Sequence, residues 1–283
     1  MNILKINTNA VFCVGDIHGN FESIIGQIKR YDLTDSAILF CGDIAFGFNK
    51  PDYYNQIIGK IRKECKKRNV YILFIRGNHD DPSYFNGNLF KRGFVQTVAD
   101  YTVVQFYPMS DPEKTLAPTF SFLCVGGATS VDRTDRIARM EQFAREYMRY
   151  HHGLDFDEAY RRCQQLYWVD EQPFFSQEAF DEIKERGIVI DNVCTHTCPS
   201  FCQPTTKDGI LGWAKRDERL LTDVDHERDV MDKIYNQLVL DEHHINGWYY
   251  GHYHYHHFDC IDGVKYYMLD MDHHGNFDMI EVH

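Results

Sequence analysis

The chain has 283 residues, 43% of them hydrophobic and 14% aromatic, which is ample for a large packed core and excludes an intrinsically disordered chain. Its net charge of −12 repels phosphate backbones at long range and makes nucleic acid a poor default partner. No run approaches the roughly 18 apolar residues of a membrane span, residues 10–14 are too short and too quickly followed by Gly-Asp to be a secretory leader, and a chain with nine cysteines is then expected in a reduced, cytoplasmic setting.

Residues 1–9 form a short lead-in strand, and 10–14 a first core strand whose tip is Gly15-Asp16-Ile17-His18-Gly19. Apolar residues at spacings of three and four predict a helix over 21–31, with Asn20 at its N-cap. A second strand, 36–40, runs into Gly42-Asp43, and Pro51 opens a helix that continues to 68. The third strand, 70–75, is rich in β-branched and aromatic residues and stops abruptly at Arg76-Gly77-Asn78-His79-Asp80. Strand, helix, strand, helix, strand with short links means a parallel sheet with right-handed crossovers. Residues 82–88 read as loop, and 101–107 and 119–125 as strands, the second ending at Gly126-Gly127-Ala128.

The strand rhythm then breaks. Helices are expected within 134–150, over 158–167 and over 176–186, the last with Ser176 as N-cap, so 129–190 reads as a helical insertion in a single 1–283 domain. Its Arg133, Arg136, Arg139, Arg145 and Arg149 read as a solvated face rather than a substrate contact. Strand returns over 188–195 and ends at His196; 199–222 is loop; 224–240 is helix; and 247–250 is a strand ending at Gly251-His252-Tyr253-His254. Residues 264–270 and 277–282 read as a closing antiparallel pair.

Several strands thus deliver Asp, Asn or His at their C-terminal ends, the edge at which open α/β sheets bind ligands. One metal site explains the coincidence. Asp16, His18, Asp43, Asn78, His196, His252 and His254 make seven donors, more than one four-coordinate ion needs, and Asp43 is a carboxylate able to bridge two. Mixed carboxylate, amide and imidazole donors suit Mn, Fe, Zn or Co better than Ca or Mg. Two such ions clamp an in-line displacement at phosphorus and turn a bridging water into hydroxide near neutrality. His79, beside a ligand but aimed elsewhere, is then the acid for the leaving alkoxide. Arg76 either binds a phosphoryl oxygen or pairs with a nearby Asp. Cys194, Cys198 and Cys202 lack the CxxC spacing of a zinc site and read as free thiols. His151-His152, His243-His244, His256-His257 and His273-His274 read as surface pairs, with His256 and His257 near enough to line the site.

These blocks, Asp16-Ile17-His18, Gly42-Asp43, Gly77-Asn78-His79-Asp80, His196 and Gly251-His252-Tyr253-His254, resemble in order those of the calcineurin-like metallophosphoesterase superfamily, and residues 126–132 look like a bacterial and phage subgroup of it. The resemblance implies a four-layer α-β-β-α sandwich of two mixed sheets flanked by helices. It implies one ion on Asp16, His18, Asp43 and His254, and a second on Asp43, Asn78, His196 and His252. Mn or Fe would be the ions, a small phosphorylated molecule the substrate, and His79 the proton donor. One departure stands out: Gly42-Asp43-Ile44-Ala45-Phe46-Gly47 lacks the aspartate and the second arginine of the Ser/Thr phosphatases, leaving Asp80 or Asp132 to orient His79. The expected function is a metal-dependent phosphoesterase acting on a monoester or diester. The competing readings are a nuclease of the same superfamily and a non-catalytic metal-bound scaffold.

Overall fold

The computed structural model describes residues 1–87, 90, 93–271 and 278–283. The last residue of the expected 82–88 loop, the first of the expected 277–282 strand and the His273-His274 pair lie outside them.

Local sequence accounts for the first half directly. The apolar runs become β2 (Ala10–Val14), β3 (Ser36–Phe40) and β4 (Val70–Phe74). The amphipathic stretches between them become α1 (Phe21–Arg30) and α2 (Pro51–Arg68). Pro51 starts α2, and Asn69 ends it in the left-handed conformation that a C-terminal cap favours. With β5 (Val95–Thr97) these strands lie parallel, and β12 (Met279–Glu281) adds an antiparallel edge against β2, giving the order β12-β2-β3-β4-β5.

The second sheet has seven strands. These are β1 (Ile3–Asn7), β6 (Thr102–Tyr107), β7 (Phe120–Val125), β8 (Asn192–Thr195), β9 (Gly247–Tyr250), β10 (His257–Ile261) and β11 (Val264–Met268), in the order β1-β6-β7-β8-β9-β11-β10. It too is mixed: β6–β7 and β10–β11 are antiparallel, and the other pairs parallel.

Strand periodicity sorts the side chains into three layers of core. Along β3, Ala37 and Leu39 face one way, toward Phe106, Phe122, Cys124 and Cys194 of the other sheet. Ile38 and Phe40 face the other way, toward α1 and α2 through Phe21, Ile24, Ile57 and Ile61. On the outer face of the seven-stranded sheet, Leu123, Val193, Trp248 and Tyr266 pack on α5 (Gln177–Glu185) and α7 (Leu220–Leu240) through Phe180, Ile183, Met231 and Ile234. Helices, sheet, sheet, helices is the expected four-layer sandwich.

Three expectations need correction. The 264–270 and 277–282 segments do not pair: β11 lies between β9 and an unforeseen β10, while β12 crosses to the other sheet. Register is a long-range property, and local alternation says nothing about which strand lies alongside. Within 129–190, α3 (Arg133–Tyr150) and α4 (Phe156–Arg162) share a small core of Ala144, Ala159 and Cys163, but α5 is a layer of the sandwich itself. The 199–222 stretch carries a short α6 (Ile210–Ala214) and the first turn of α7. The cysteines are all free, eight of them buried, Cys194, Cys198 and Cys202 included. No helix among the described residues is long and apolar enough to cross a membrane.

Candidate metal centre

The C-terminal ends of β2, β3 and β4 meet those of β8 and β9 across the sandwich, because both sheets run their central strands toward one edge. Each strand end turns sharply. His18, Asp43, His252 and His254 all sit at positive φ, between 43° and 71°, a region that side chains with a Cβ avoid. Such backbone persists only where surrounding contacts over-determine it, and here it aims donor atoms inward. Two glycines make room for the approach. A Cβ on Gly251 would stand 2.1 Å from Asp16 Oδ1, and one on Gly42 2.3 Å from His196 Nδ1.

All seven expected donors converge, in two groups that share Asp43. Asp16, His18, Asp43 and His254 form one, with every donor atom within 4.8 Å of the rest. In it His18 Nε2 lies 3.2 Å from His254 Nε2 and 3.7 Å from both Asp16 Oδ2 and Asp43 Oδ2, and His254 Nε2 lies 3.4 Å from Asp16 Oδ2. Asp43, His196 and His252 form the other. There Asn78 Oδ1 stands 3.0 Å from His196 Nε2 and 3.0 Å from His252 Nδ1, and Asp43 Oδ1 is 3.2 Å from His196 Nε2.

The donor set fits cations on three observations. Asp43 Oδ2 is fully buried without a hydrogen-bond partner among the described residues, a costly state that a bound cation relieves. His196 Nδ1 donates to the Cys41 carbonyl at 2.6 Å, which leaves Nε2 facing the centre, where a bound cation would take the place of its proton. Asn78 Nδ2 donates to Ser130 Oγ at 2.8 Å, which turns the amide oxygen inward. Ser130 in turn donates through Oγ and N to Glu171 Oε2 and Oε1, at 2.6 and 2.7 Å. No cysteine belongs to either group.

The electrostatics agree. Burial alone raises a carboxyl, yet His196 and the neighbouring histidines hold Asp16 and Asp43 well below the usual carboxylate range. Burial depresses His196, but the two carboxylates outweigh it and push it up to about 9. His18 is likewise raised, burial being overcome by Asp16 and Asp43. Negative charge this concentrated is a receptor for cations. His252 and His79 go the other way: burial lowers both well below the usual range, and the Lys207 charge acts in the same direction.

Beside the donors lies a cavity of about 470 Å³, lined by His18, Gly19, Ala45, Phe48, Asn49, His79, Asp132, Arg136, Arg139 and Leu166. His79 stands at its rim with Nδ1 3.8 Å from Asp43 Oδ2. Its partner is neither expected aspartate. Asp80 is buried and accepts the Ile44, Phe46 and Gly77 backbone N–H groups, so it shapes the turn. Asp132 reaches the histidine only through Arg136, which bonds Asp132 Oδ1 at 2.7 Å, the Leu166 carbonyl at 3.1 Å and His79 Nε2 at 2.6 Å. A guanidinium can only donate, so His79 Nε2 accepts and the ring proton resides on Nδ1.

Arg76 and Arg136 occupy different settings. Arg76, expected as a phosphoryl contact or an ion pair, is 4% exposed and takes the ion-pair role. It bonds Asp100 Oδ2 at 3.0 Å and the carbonyls of Gly126, Asp170, Glu171 and Gln172, pinning the 170–172 segment to the end of β4. Arg136, expected in solvent, faces the cavity. The solvated reading does hold for Arg145, which is exposed and pairs with Glu141, whereas Arg133 is tied to Asp217 and Asp223. His256 bonds Asp278, and neither it nor His257 lines the cavity. Ser130 had a visible signal, since β7 runs into Gly126-Gly127 as the other strands run into their turns. Glu171 had none.

Among solved structures, a dimetal phosphatase from Danio rerio aligns with 93% of this chain and 87% of its own, at 13% identity and a TM-score of 0.45. The phosphopantetheinyl hydrolase of Mycobacterium tuberculosis aligns over 94% and 90%, at 14% identity and a TM-score of 0.36. No curated protein matches the chain. The profile of the calcineurin-like phosphoesterases matches residues 10–256, which takes in all seven donors and His79. On that match the chain belongs to the calcineurin-like phosphoesterase family.

Proposed function

We propose that the protein is a metal-dependent phosphoesterase that hydrolyses a small phosphomonoester or phosphodiester at a dinuclear centre. The observation that carries this is the pair of donor groups hinged on Asp43, its Oδ2 otherwise unbonded, opening onto a cavity of small-molecule size. Asp16, His18, Asp43 and His254 hold one ion, and Asp43, Asn78, His196 and His252 the other. Bound there, the ions supply a water nucleophile near neutral pH and offset charge on the phosphoryl oxygens. Donors limited to nitrogen and oxygen favour Mn or Fe, with Zn or Co as substitutes. Free thiols throughout fit a cytoplasmic, reducing setting.

His79 is the acid for the leaving oxygen. Burial and the Arg136 charge hold it neutral in the free protein; an anionic substrate that engages Arg136 frees Nε2 and favours its protonation from solvent, and that proton passes to the leaving oxygen. The test is hydrolysis of p-nitrophenyl phosphate and bis(p-nitrophenyl) phosphate with added Mn, followed by a panel of phosphorylated metabolites, with metal content by elemental analysis. Turnover is expected, falling about a hundredfold or more in His79→Ala. Two bound ions with no turnover of any ester would sink the reading and leave a metal-bound scaffold.

A further inference from the structure

Two arginines of α3, Arg136 and Arg139, line the cavity beside His79. They are three residues apart on a helix, so they share one face a turn apart. Their situations differ. Arg136 is 13% exposed and bonded to Asp132, Leu166 and His79. Arg139 is exposed and makes no hydrogen bond or ion pair among the described residues.

The cavity is also larger than its chemistry at the centre requires. Its volume of about 470 Å³ is that of a site for a whole small molecule rather than for one phosphoryl group. Ala45, Phe48 and Leu166 give it an apolar wall, and Asp132, its one acidic lining residue among the described residues, is already paired with Arg136. On a chain of net charge −12, a pocket with two guanidiniums and no free carboxylate is a local reversal of sign.

We propose that this cavity is a subsite for a second anionic group of the substrate, a phosphate or carboxylate joined to the scissile phosphoryl by a short carbon chain, and that Arg139 is the residue that reads it. The proposal rests on the phosphoesterase reading for its catalytic half only. The scissile group lies over the donor cluster and engages Arg136; the connecting chain lies along Phe48 and Leu166; the far anion reaches Arg139. A guanidinium suits either oxyanion, since its fork matches both geometries.

The test is a matched series of alkyl phosphates, ethyl to hexyl, capped at the far end by methyl, carboxylate or phosphate, assayed with Mn in wild type, Arg139→Ala and Arg139→Lys. At one chain length or more, kcat/KM for a charged cap should exceed that for methyl by about tenfold or more, as an added charge-assisted contact provides. That ratio should fall to near unity in Arg139→Ala and return in part in Arg139→Lys. Chelation of the ions by the probe would not depend on Arg139. No preference at any length, or a preference that Arg139→Ala leaves intact, overturns the subsite. If no ester is hydrolysed at all, calorimetric titration with the corresponding non-hydrolysable phosphonates decides the two ideas separately. Tighter, Arg139-dependent binding of the charged-cap phosphonates upholds the subsite while the hydrolase reading fails, and equal binding removes the subsite as well.

Discussion

The donor cluster and the cavity wall beside it are built in opposite ways. The donors hang from strand ends of the sandwich and are largely buried, and His18, Asp43, His252 and His254 adopt strained backbone held by the two sheets. The basic side of the wall is contributed by α3, whose own core with α4 is a few side chains, and its working groups are the long, rotatable arms of Arg136 and Arg139. A centre that must place several atoms within a fraction of an ångström needs the first construction. A surface that distinguishes one organic phosphate from another tolerates the second, and can change without disturbing the chemistry. The two meet at a seam where Asn78 of the sandwich is oriented by Ser130, just before α3, and Glu171, beyond α4.

The largest expected effect tests the rigid side. Asp43→Asn removes the shared carboxylate and should cost about 4 kcal/mol of transition-state stabilisation, about a thousandfold in kcat, with bound metal falling below two ions per chain by elemental analysis. Retention of both ions and of activity would break the comparison at its root. The seam comes next. Ser130→Ala frees the Asn78 amide to rotate and should weaken Mn binding about 10–100-fold by calorimetry, while the methyl-capped and charged-cap substrates keep their ratio. A ratio that moved with Ser130 would mean that wall and cluster are not separable.

The seam also has a pH signature. Burial pushes the Glu171 carboxyl from 4.5 up to about 8 against the bonds it accepts from Ser130. The folded chain therefore binds that proton more tightly than the unfolded one. The stability it contributes is complete below about 4.5 and is lost as pH rises toward about 8. Glu171→Gln, with no proton to lose, should flatten the decline in Tm across that window, and an unchanged decline would assign it to other groups. The smallest effect is on the outer face of α3: Arg145→Ala breaks an exposed pair with Glu141 and should shift stability by less than about 0.5 kcal/mol.

How much of this was legible beforehand follows from range. The expected donors were readable because a buried apolar run that stops at a polar residue, with a glycine at every such end but that of His196, is a local pattern for a strand ending at the ligand edge. The seven donors needed no knowledge of which strands neighbour which, only that parallel strands share an edge. The three-residue β5 and the edge strand β10 were not readable, since neither is long or apolar enough to stand out from a loop. Arg76 and Arg136 show the limit most sharply. Arg76, two positions from Asn78, turned out to be a brace, whereas Arg136, 57 positions from His79 in the chain, bonds it.

By itself the sequence determined the layer types, the strand ends and the polar residues those ends present, because hydrophobic period and residue type are properties of short stretches. Tertiary structure alone decided the pairing of the final strands, the partner of His79, the relay through Ser130 and Glu171, and which arginine meets the cavity. Those depend on how segments distant in the chain are laid against one another, and a guanidinium goes wherever that packing leaves carbonyls or an open pocket.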